Sequence, residues 1–264
     1  AKENVMTNYP LTNISPKAKI GQNVTIEPFT TIYGDVEIGD NTWIGSNVVI
    51  MDGARIGSSC KIFPGAVISA ESQDLKYNGE YTQTIIGDNT TIREYVTIHK
   101  GTLDRKVTKI GSNCLLMSYV HVAHDCEIGN NVIIANLVQL AGHVSIDDWV
   151  IIEGTAAVQQ FVHIGEHAFI AGGSLVRKNV PPYVKAAREP LSYVGVNTIG
   201  LRRRGFNDQQ IINVEDIYRV IYVQNSNMTT ALAVADLELP KSDEKDVVLD
   251  FIRNSTKGIM RGLS

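Results

Sequence analysis

Four of the six histidines stand at related places in the chain. His99, His124 and His143 follow Ile98, Val122 and Leu140 by one, two and three residues, and His121 lies three residues before His124. A neutral imidazole, with an ordinary pKa of about 6.5, suits general-base catalysis near neutral pH. Imidazoles brought together from neighbouring elements can instead hold zinc. Asp125 follows His124 directly and is a candidate to orient or charge-stabilise it, although adjacent strand side chains normally point apart. Gln160 follows Val158 by the same two places as His124 follows Val122. Gly142, beside His143, offers a backbone N–H that can polarise a developing oxyanion, or else marks a turn. The segment Glu71-Ser72-Gln73-Asp74-Leu75-Lys76-Tyr77 suits sugar hydroxyls or is a solvated loop. Arg202-Arg203-Arg204 is the densest positive cluster, fit for phosphate or for a solvated face. His163 and His167 have no such company and read as structural.

A strict repeat must position these residues. Aliphatic side chains recur at every sixth position from Ile14 to Ile68, again at Ile86, Ile92 and Ile98, and again from Ile110 to Val176. The fourth residue after each is small or slim, from Ala18 to Val180. Period six fits neither a 3.6-residue helix nor a free hairpin array. It fits a solenoid whose every hexad is one short strand and one turn. Ile-Gly pairs at Ile20, Ile38 and Ile56, and again at Ile110, Ile128 and Ile164, add a period of eighteen. Three hexads therefore make one coil of a triangular prism, with one aliphatic per hexad directed to the axis. The candidate histidines occupy third hexads of successive coils and should face outward or into a groove. Cys60, Cys114 and Cys126 take slim fourth positions, which predicts buried core residues rather than nucleophiles or a zinc motif.

Two interruptions leave the same edge of the predicted prism, at about 69–85 and 101–109. Extra residues kept to one edge of a regular solenoid usually build a site. The repeat ends at Pro181-Pro182, and a linker containing Arg188-Glu189-Pro190 is expected next. Asn207 and Gln210 have the spacing of a capping box, and Ile211, Val214, Ile217, Tyr218 and Ile221 then form one apolar face. Two more helices are predicted around Met228–Leu239 and Ser242–Asn254, separated by Pro240. The expected organisation is mainly β: a left-handed parallel β-helix over 1–187, then a C-terminal α-helical domain over 188–264 that caps it.

Composition agrees with strands, since Ile and Val supply 57 of 264 residues and Leu only 15. A net charge of −4 argues against a broad nucleic-acid surface. No apolar run approaches the roughly 18 residues of a membrane span. The polar stretch Ala1 to Pro10 has no signal-peptide core, and three cysteines form no disulfide framework, so a cytoplasmic location is expected.

Six motifs carry a resemblance that spans nearly the whole chain. They are Gln73-Asp74-Leu75-Lys76-Tyr77, Val96-Thr97-Ile98-His99, His121-Val122-Ala123-His124-Asp125-Cys126, Leu140-Ala141-Gly142-His143, Val180-Pro181-Pro182-Tyr183-Val184 and Arg203-Arg204-Gly205-Phe206. With the repeat and the helical end, the chain resembles the bacterial UDP-N-acetylglucosamine O-acyltransferases, which start lipid A synthesis. The hexapeptide repeat alone is unspecific, but the combination of motifs is highly specific. The resemblance implies acyl transfer from a 3-hydroxyacyl acyl carrier protein to the 3-hydroxyl of UDP-N-acetylglucosamine. It implies no cofactor or metal beyond the carrier's phosphopantetheine, and a homotrimer with sites between subunits. His124 would be the general base, Asp125 its support, and Gly142 N–H the polariser of the thioester carbonyl. Asp74, Lys76, His99, His121 and His143 would position sugar and diphosphate. Gln160, Asn197 and Arg204 would hold the nucleotide, with Arg203 near the phosphopantetheine. Gly172 matches the family's acyl-length ruler, and a glycine there implies an open groove and a long chain. The chain departs from familiar members at Gln159, Pro190 and Ile199.

Three alternatives make different demands. A sister N-acyltransferase usually carries an extra N-terminal domain, for which hexads beginning at Ile14 leave no room. A zinc hydratase requires stoichiometric zinc, and His121-x-x-His124 is not its usual ligand spacing. An inert scaffold leaves the edge loops and edge histidines unexplained.

Overall fold

Two-residue strands follow directly from the hexad. Each inward aliphatic and the residue before it are extended, and the next residues turn the corner. In the computed structural model, which describes residues 8–263, the third residue after an aliphatic repeatedly takes a left-handed backbone, as at Asn23 (φ 54°), Asn41 (φ 61°) and Asn89 (φ 56°). Asparagine tolerates that region better than most residues. The first seven residues, part of the stretch expected to lack a signal-peptide core, lie outside the description. The described chain divides into two compact units, up to Asp125 and from Cys126.

The first unit stacks parallel strands into three sheets. One contains β1 (Asn13–Ile14), β4 (Thr31–Ile32), β7 (Val49–Ile50), β10 (Val67–Ala70), β13 (Thr97–His99) and β16 (His121–Val122). The second contains β2 (Lys19–Ile20), β5 (Val36–Ile38), β8 (Ala54–Ile56), β11 (Gln83–Ile86) and β14 (Val107–Ile110). The third contains β3 (Thr25–Ile26), β6 (Trp43–Ile44), β9 (Lys61–Ile62), β12 (Thr91–Ile92) and β15 (Leu115–Leu116). Register follows the eighteen-residue coil: Ile14 pairs with Ile32, and Ile20 with Ile38. Ile44, Ile50, Ile62, Ile68, Ile92 and Ile98 are fully buried, the axial core the repeat predicts.

The slim fourth position has a second use. Thr30, Thr42 and Thr90 donate their hydroxyls to the carbonyls of Gly45, Gly57 and Gly111 on the next coil. Cys60 does the same with its thiol toward Gly87 O, at 3.1 Å. The three cysteines form no disulfide and are buried, as predicted. The Ile-Gly pairs exist because coils stack closely; a Cβ on Gly39 would lie 2.6 Å from the carbonyl carbon of Gly57. The interruptions appear as residues 71–82, between β10 and β11, and residues 100–106, between β13 and β14.

The second unit continues the same chemistry. One sheet holds β17 (Glu127–Ile128), β20 (Ser145–Ile146) and β23 (His163–Ile164). Another holds β19 (Gln139–Leu140), β22 (Ala157–Val158) and β25 (Leu175–Val176). A third runs through β18 (Ile133–Ile134), β21 (Ile151–Ile152), β24 (Phe169–Ile170) and β26 (Val184–Ala187). The segment expected as a linker is ordered structure instead. β26 extends that third sheet, and β27 (Ser192–Val196) folds back antiparallel upon it. Period-six reading could not find this pair, because its strands have left the repeat.

Four helices follow: α1 (Thr198–Arg203), α2 (Asp208–Arg219), α3 (Met228–Glu238) and α4 (Asp243–Arg253), with a π-helical turn at Val220–Gln224. The Asn207–Gln210 capping box is present in both directions. The expected face of α2 is buried through Ile211, Val214, Ile217 and Tyr218, and the Tyr218 hydroxyl donates to Pro182 O at 2.6 Å. That bond and the packing of Phe251 on His163 at 4.6 Å seat the helices on the last coil. Helix α1 was not anticipated; Asn197 caps it, accepting from Gly200 N. Among the described residues, no helix is long and apolar enough to cross a membrane.

Candidate active site

His124 and Asp125 occupy the corner after β16. Asp125 has φ of 59°, the left-handed corner conformation. This removes the objection that neighbouring strand side chains diverge, because the corner swings the carboxylate back toward the imidazole. His124 Nδ1 and Asp125 Oδ2 stand 2.8 Å apart, both residues buried.

The two inserted loops complete this corner. In the first, Ser72 Oγ accepts from Asp74 N, and Asp74 Oδ1 accepts from Lys76 N, which sets the turn. The second carboxylate oxygen, Asp74 Oδ2, stands 3.9 Å from His124 Nε2, beyond direct hydrogen-bond reach. Leu75 and Lys76 at the tip are exposed. From the second loop, Thr102 donates its N–H to Asp125 Oδ1 at 2.9 Å and its hydroxyl to Oδ2 at 2.6 Å. Arg105 donates to Asp125 O, and Thr108 accepts from Asp125 N.

His99 and His121 lie alongside, rings edge to face at 4.8 Å. His121 Nδ1 shares a 2.7 Å hydrogen bond with Thr97 Oγ1. Burial, then the neighbouring His121 and His124, push the His99 pKa down to about 4. Burial and His124 lower that of His121 as well. Both rings are therefore held neutral at pH 7, ready to give and accept hydrogen bonds. Of the two expectations, outward or into a groove, open outward exposure does not hold: His99, His124 and His143 are buried, with relative exposures of 8%, 8% and 6%. Imidazoles on the flat prism face would be solvated, but these have loops or aromatic neighbours against them.

The second unit carries the remaining candidates. His143 sits at a left-handed corner (φ 60°) and stacks on Phe161 with ring centres 4.6 Å apart. Gly142 is buried immediately before it. Gln160 is exposed, and its carbonyl accepts from Lys257 Nζ at 3.2 Å. Asn197 is buried; besides capping α1 it donates to His167 O at 3.0 Å. Arg204 lies over Trp149 at 5.5 Å and donates to His167 Nδ1 at 3.1 Å. Burial, then the Arg204 charge, bring the His167 pKa down to about 4. His167 is thus a packed, neutral ring between Trp149, Tyr183 and Phe206. Arg203 is exposed beside it in sequence, and Arg202 pairs with Asp208. Gly172 is exposed, and a Cβ there would meet Gly154 O at 3.3 Å.

Sequence reasoning missed Thr97, Thr102, Arg105 and Thr108. Thr102 is the fourth residue after Ile98, so the repeat files it among slim corner fillers. The available signal was positional: the extra residues begin there.

The family described as "Udp N-acetylglucosamine O-acyltransferase; Domain 2" matches residues 179–260. Bacterial transferase hexapeptide repeats match residues 17–42, 35–70 and 108–142. An acyl-[acyl-carrier-protein]–UDP-N-acetylglucosamine O-acyltransferase of Sulfurihydrogenibium sp. (strain YO3AOP1) is 49% identical over 252 residues, covering 95% of this chain and 93% of that one. A crystal structure of a UDP-N-acetylglucosamine acyltransferase from Bacteroides fragilis 9343 matches with a TM-score of 0.94 and 47% identity, covering 97% of this chain and 100% of that one. The Francisella novicida UDP-N-acetylglucosamine acyltransferase matches at 0.93 and 39% identity, covering 96% and 93%. These agreements confirm the left-handed parallel β-helix with a helical C-terminal region, and the chain belongs to the UDP-N-acetylglucosamine O-acyltransferase family.

Proposed function

We propose that the chain transfers a 3-hydroxyacyl group from acyl carrier protein to the 3-hydroxyl of UDP-N-acetylglucosamine, the first step of lipid A synthesis. The observation that carries the mechanism is the buried His124–Asp125 pair facing Asp74 across 3.9 Å. His124 Nε2 takes the proton of the sugar hydroxyl as its oxygen attacks the thioester carbonyl. The new C–O bond forms, the C–S bond breaks, and the departing thiolate recovers the proton from the imidazolium. Asp125 steadies the cation between these steps. A positioned base contributes roughly 10² to 10⁴ in rate, which a weakly acidic secondary alcohol needs. No atom changes oxidation state in this exchange, so the chemistry calls for no redox cofactor.

The remaining roles are proposed from family resemblance. Gly142 N–H polarises the carbonyl, worth about 10² to 10³. Asp74, Lys76, His99, His121 and His143 position the sugar and diphosphate. Gln160, Asn197 and Arg204 hold the nucleotide, and Arg203 meets the phosphopantetheine. Gly172 bounds the acyl groove. The proposed assembly is a homotrimer with sites between subunits. Phe29, Tyr95 and Tyr119, exposed apolar side chains of the first unit, are of the type a second copy covers. The proposed domains are 1–187 and 188–264, with residues 188–191 forming the turn between β26 and β27.

The test mixes chelator-treated protein with UDP-N-acetylglucosamine and 3-hydroxyacyl carrier proteins of several lengths, with products read by mass. An O-acylated sugar nucleotide establishes the transferase, sets aside the zinc hydratase, and identifies the favoured chain. No product from any donor removes the proposal.

A further inference from the structure

We propose that the second inserted loop is a clamp that selects the reactive tautomer of His124, with Thr102 as its positioning residue. This rests on the reading of His124 as the base. The loop and the adjoining strand β14 together reach every polar atom of Asp125. Thr102 N–H and hydroxyl address the two carboxylate oxygens, Arg105 the carbonyl, and Thr108 the amide nitrogen. Lys106 N donates to Thr102 O at 2.8 Å and closes the loop upon itself.

The proton inventory follows from those donors. An amide N–H and a hydroxyl directed at the carboxylate favour its ionised, acceptor-only form. Asp125 Oδ2 is then an acceptor toward His124 as well, so the 2.8 Å contact places a hydrogen on His124 Nδ1. Nε2 is left as the basic nitrogen, on the side where Asp74 Oδ2 stands 3.9 Å away. The other tautomer would set two acceptors against each other at Nδ1.

Comparison within the repeat shows that Thr102 serves a different purpose from its equivalents. Thr30, Thr42 and Thr90 also occupy slim fourth positions, but their hydroxyls bond main-chain carbonyls and staple one coil to the next. The hydroxyl of Thr102 instead bonds the side chain next to the candidate base. Thr102 touches no reacting atom; it acts through Asp125.

The experiment measures kcat and KM for Thr102→Val and Thr102→Ser, and reads the His124 tautomer in each by imidazole ¹⁵N NMR. In the valine variant kcat should fall about tenfold to a hundredfold with KM nearly unchanged, as expected for a lost charge-assisted hydrogen bond. The Nδ1–H signature of the parent protein should give way to a mixture. Serine keeps both donors and should restore both the rate and the signature. If valine prevents folding, Thr102→Ala against Thr102→Ser makes the same comparison. Parent-like kcat and an unchanged tautomer in the valine or alanine variant would overturn the clamp. Full activity in His124→Ala would instead overturn the base reading itself.

Discussion

At the residue scale, the site depends on pairings that burial makes consequential. His124→Ala should lower turnover by about 10² to 10⁴ while leaving the melting temperature near that of the parent. Retention of more than about a tenth of the activity would remove His124 from the base role. A second prediction concerns stability. His99 and His167 have folded pKa values of about 4, below the ordinary 6.5. The unfolded chain therefore binds more protons than the folded chain between those limits. Their contribution is fully present above pH 6.5 and is lost as pH falls toward 4, on the order of 2–3 kcal/mol for each buried ring. Replacing His99 with Gln should flatten part of the acid side of a melting-temperature profile. An unchanged slope would show that His99 titrates normally in the folded protein.

At the element scale, the coil and the helices are stabilised by different means. Coils repeat one buried aliphatic per hexad, so removing one leaves a cavity that rigid neighbouring coils cannot fill. Ile62→Ala, at a fully buried position, should cost about 2 to 5 kcal/mol. Denaturant titration would measure it, and a loss well under 1 kcal/mol would mean that the stack relaxes around the gap. Helix α2 depends on its first turn. Asn207 accepts from Gln210 N at 2.9 Å, and the Gln210 side chain returns the bond to Asn207 N at 3.0 Å. The start of α2 and the coil corners were legible because each is a local preference: an amide that caps, or a slim side chain that recurs at every corner. The β26–β27 hairpin was not legible, because its pairing partner is chosen by the sheet it extends and not by its own periodicity.

At the scale of the whole molecule, the proposal of intersubunit sites has a direct consequence. Ultracentrifugation should give about three times the 28.9 kDa chain mass. Inactive His124→Ala and Arg204→Ala chains, unfolded together and refolded as mixed assemblies, should regain activity if the two residues serve one site from different chains. No recovery from a verified mixed trimer would place both contributions within one chain.

The sequence by itself determined the coil, its inward aliphatic core, the edge from which both loops leave and the histidines grouped there. These are periodic or local features, visible wherever spacing is kept. Only the tertiary structure decided which way those residues turn and what they touch. Asp125 reaches its neighbour because a left-handed corner reverses the usual strand divergence. Thr102 becomes a donor to that carboxylate although its hexad place matches that of Thr30, Thr42 and Thr90. The same slim side chain fills the same corner in each case. Its hydrogen-bond partner depends on how the inserted loop closes and which group from the next coil lies opposite, and six-residue spacing encodes neither.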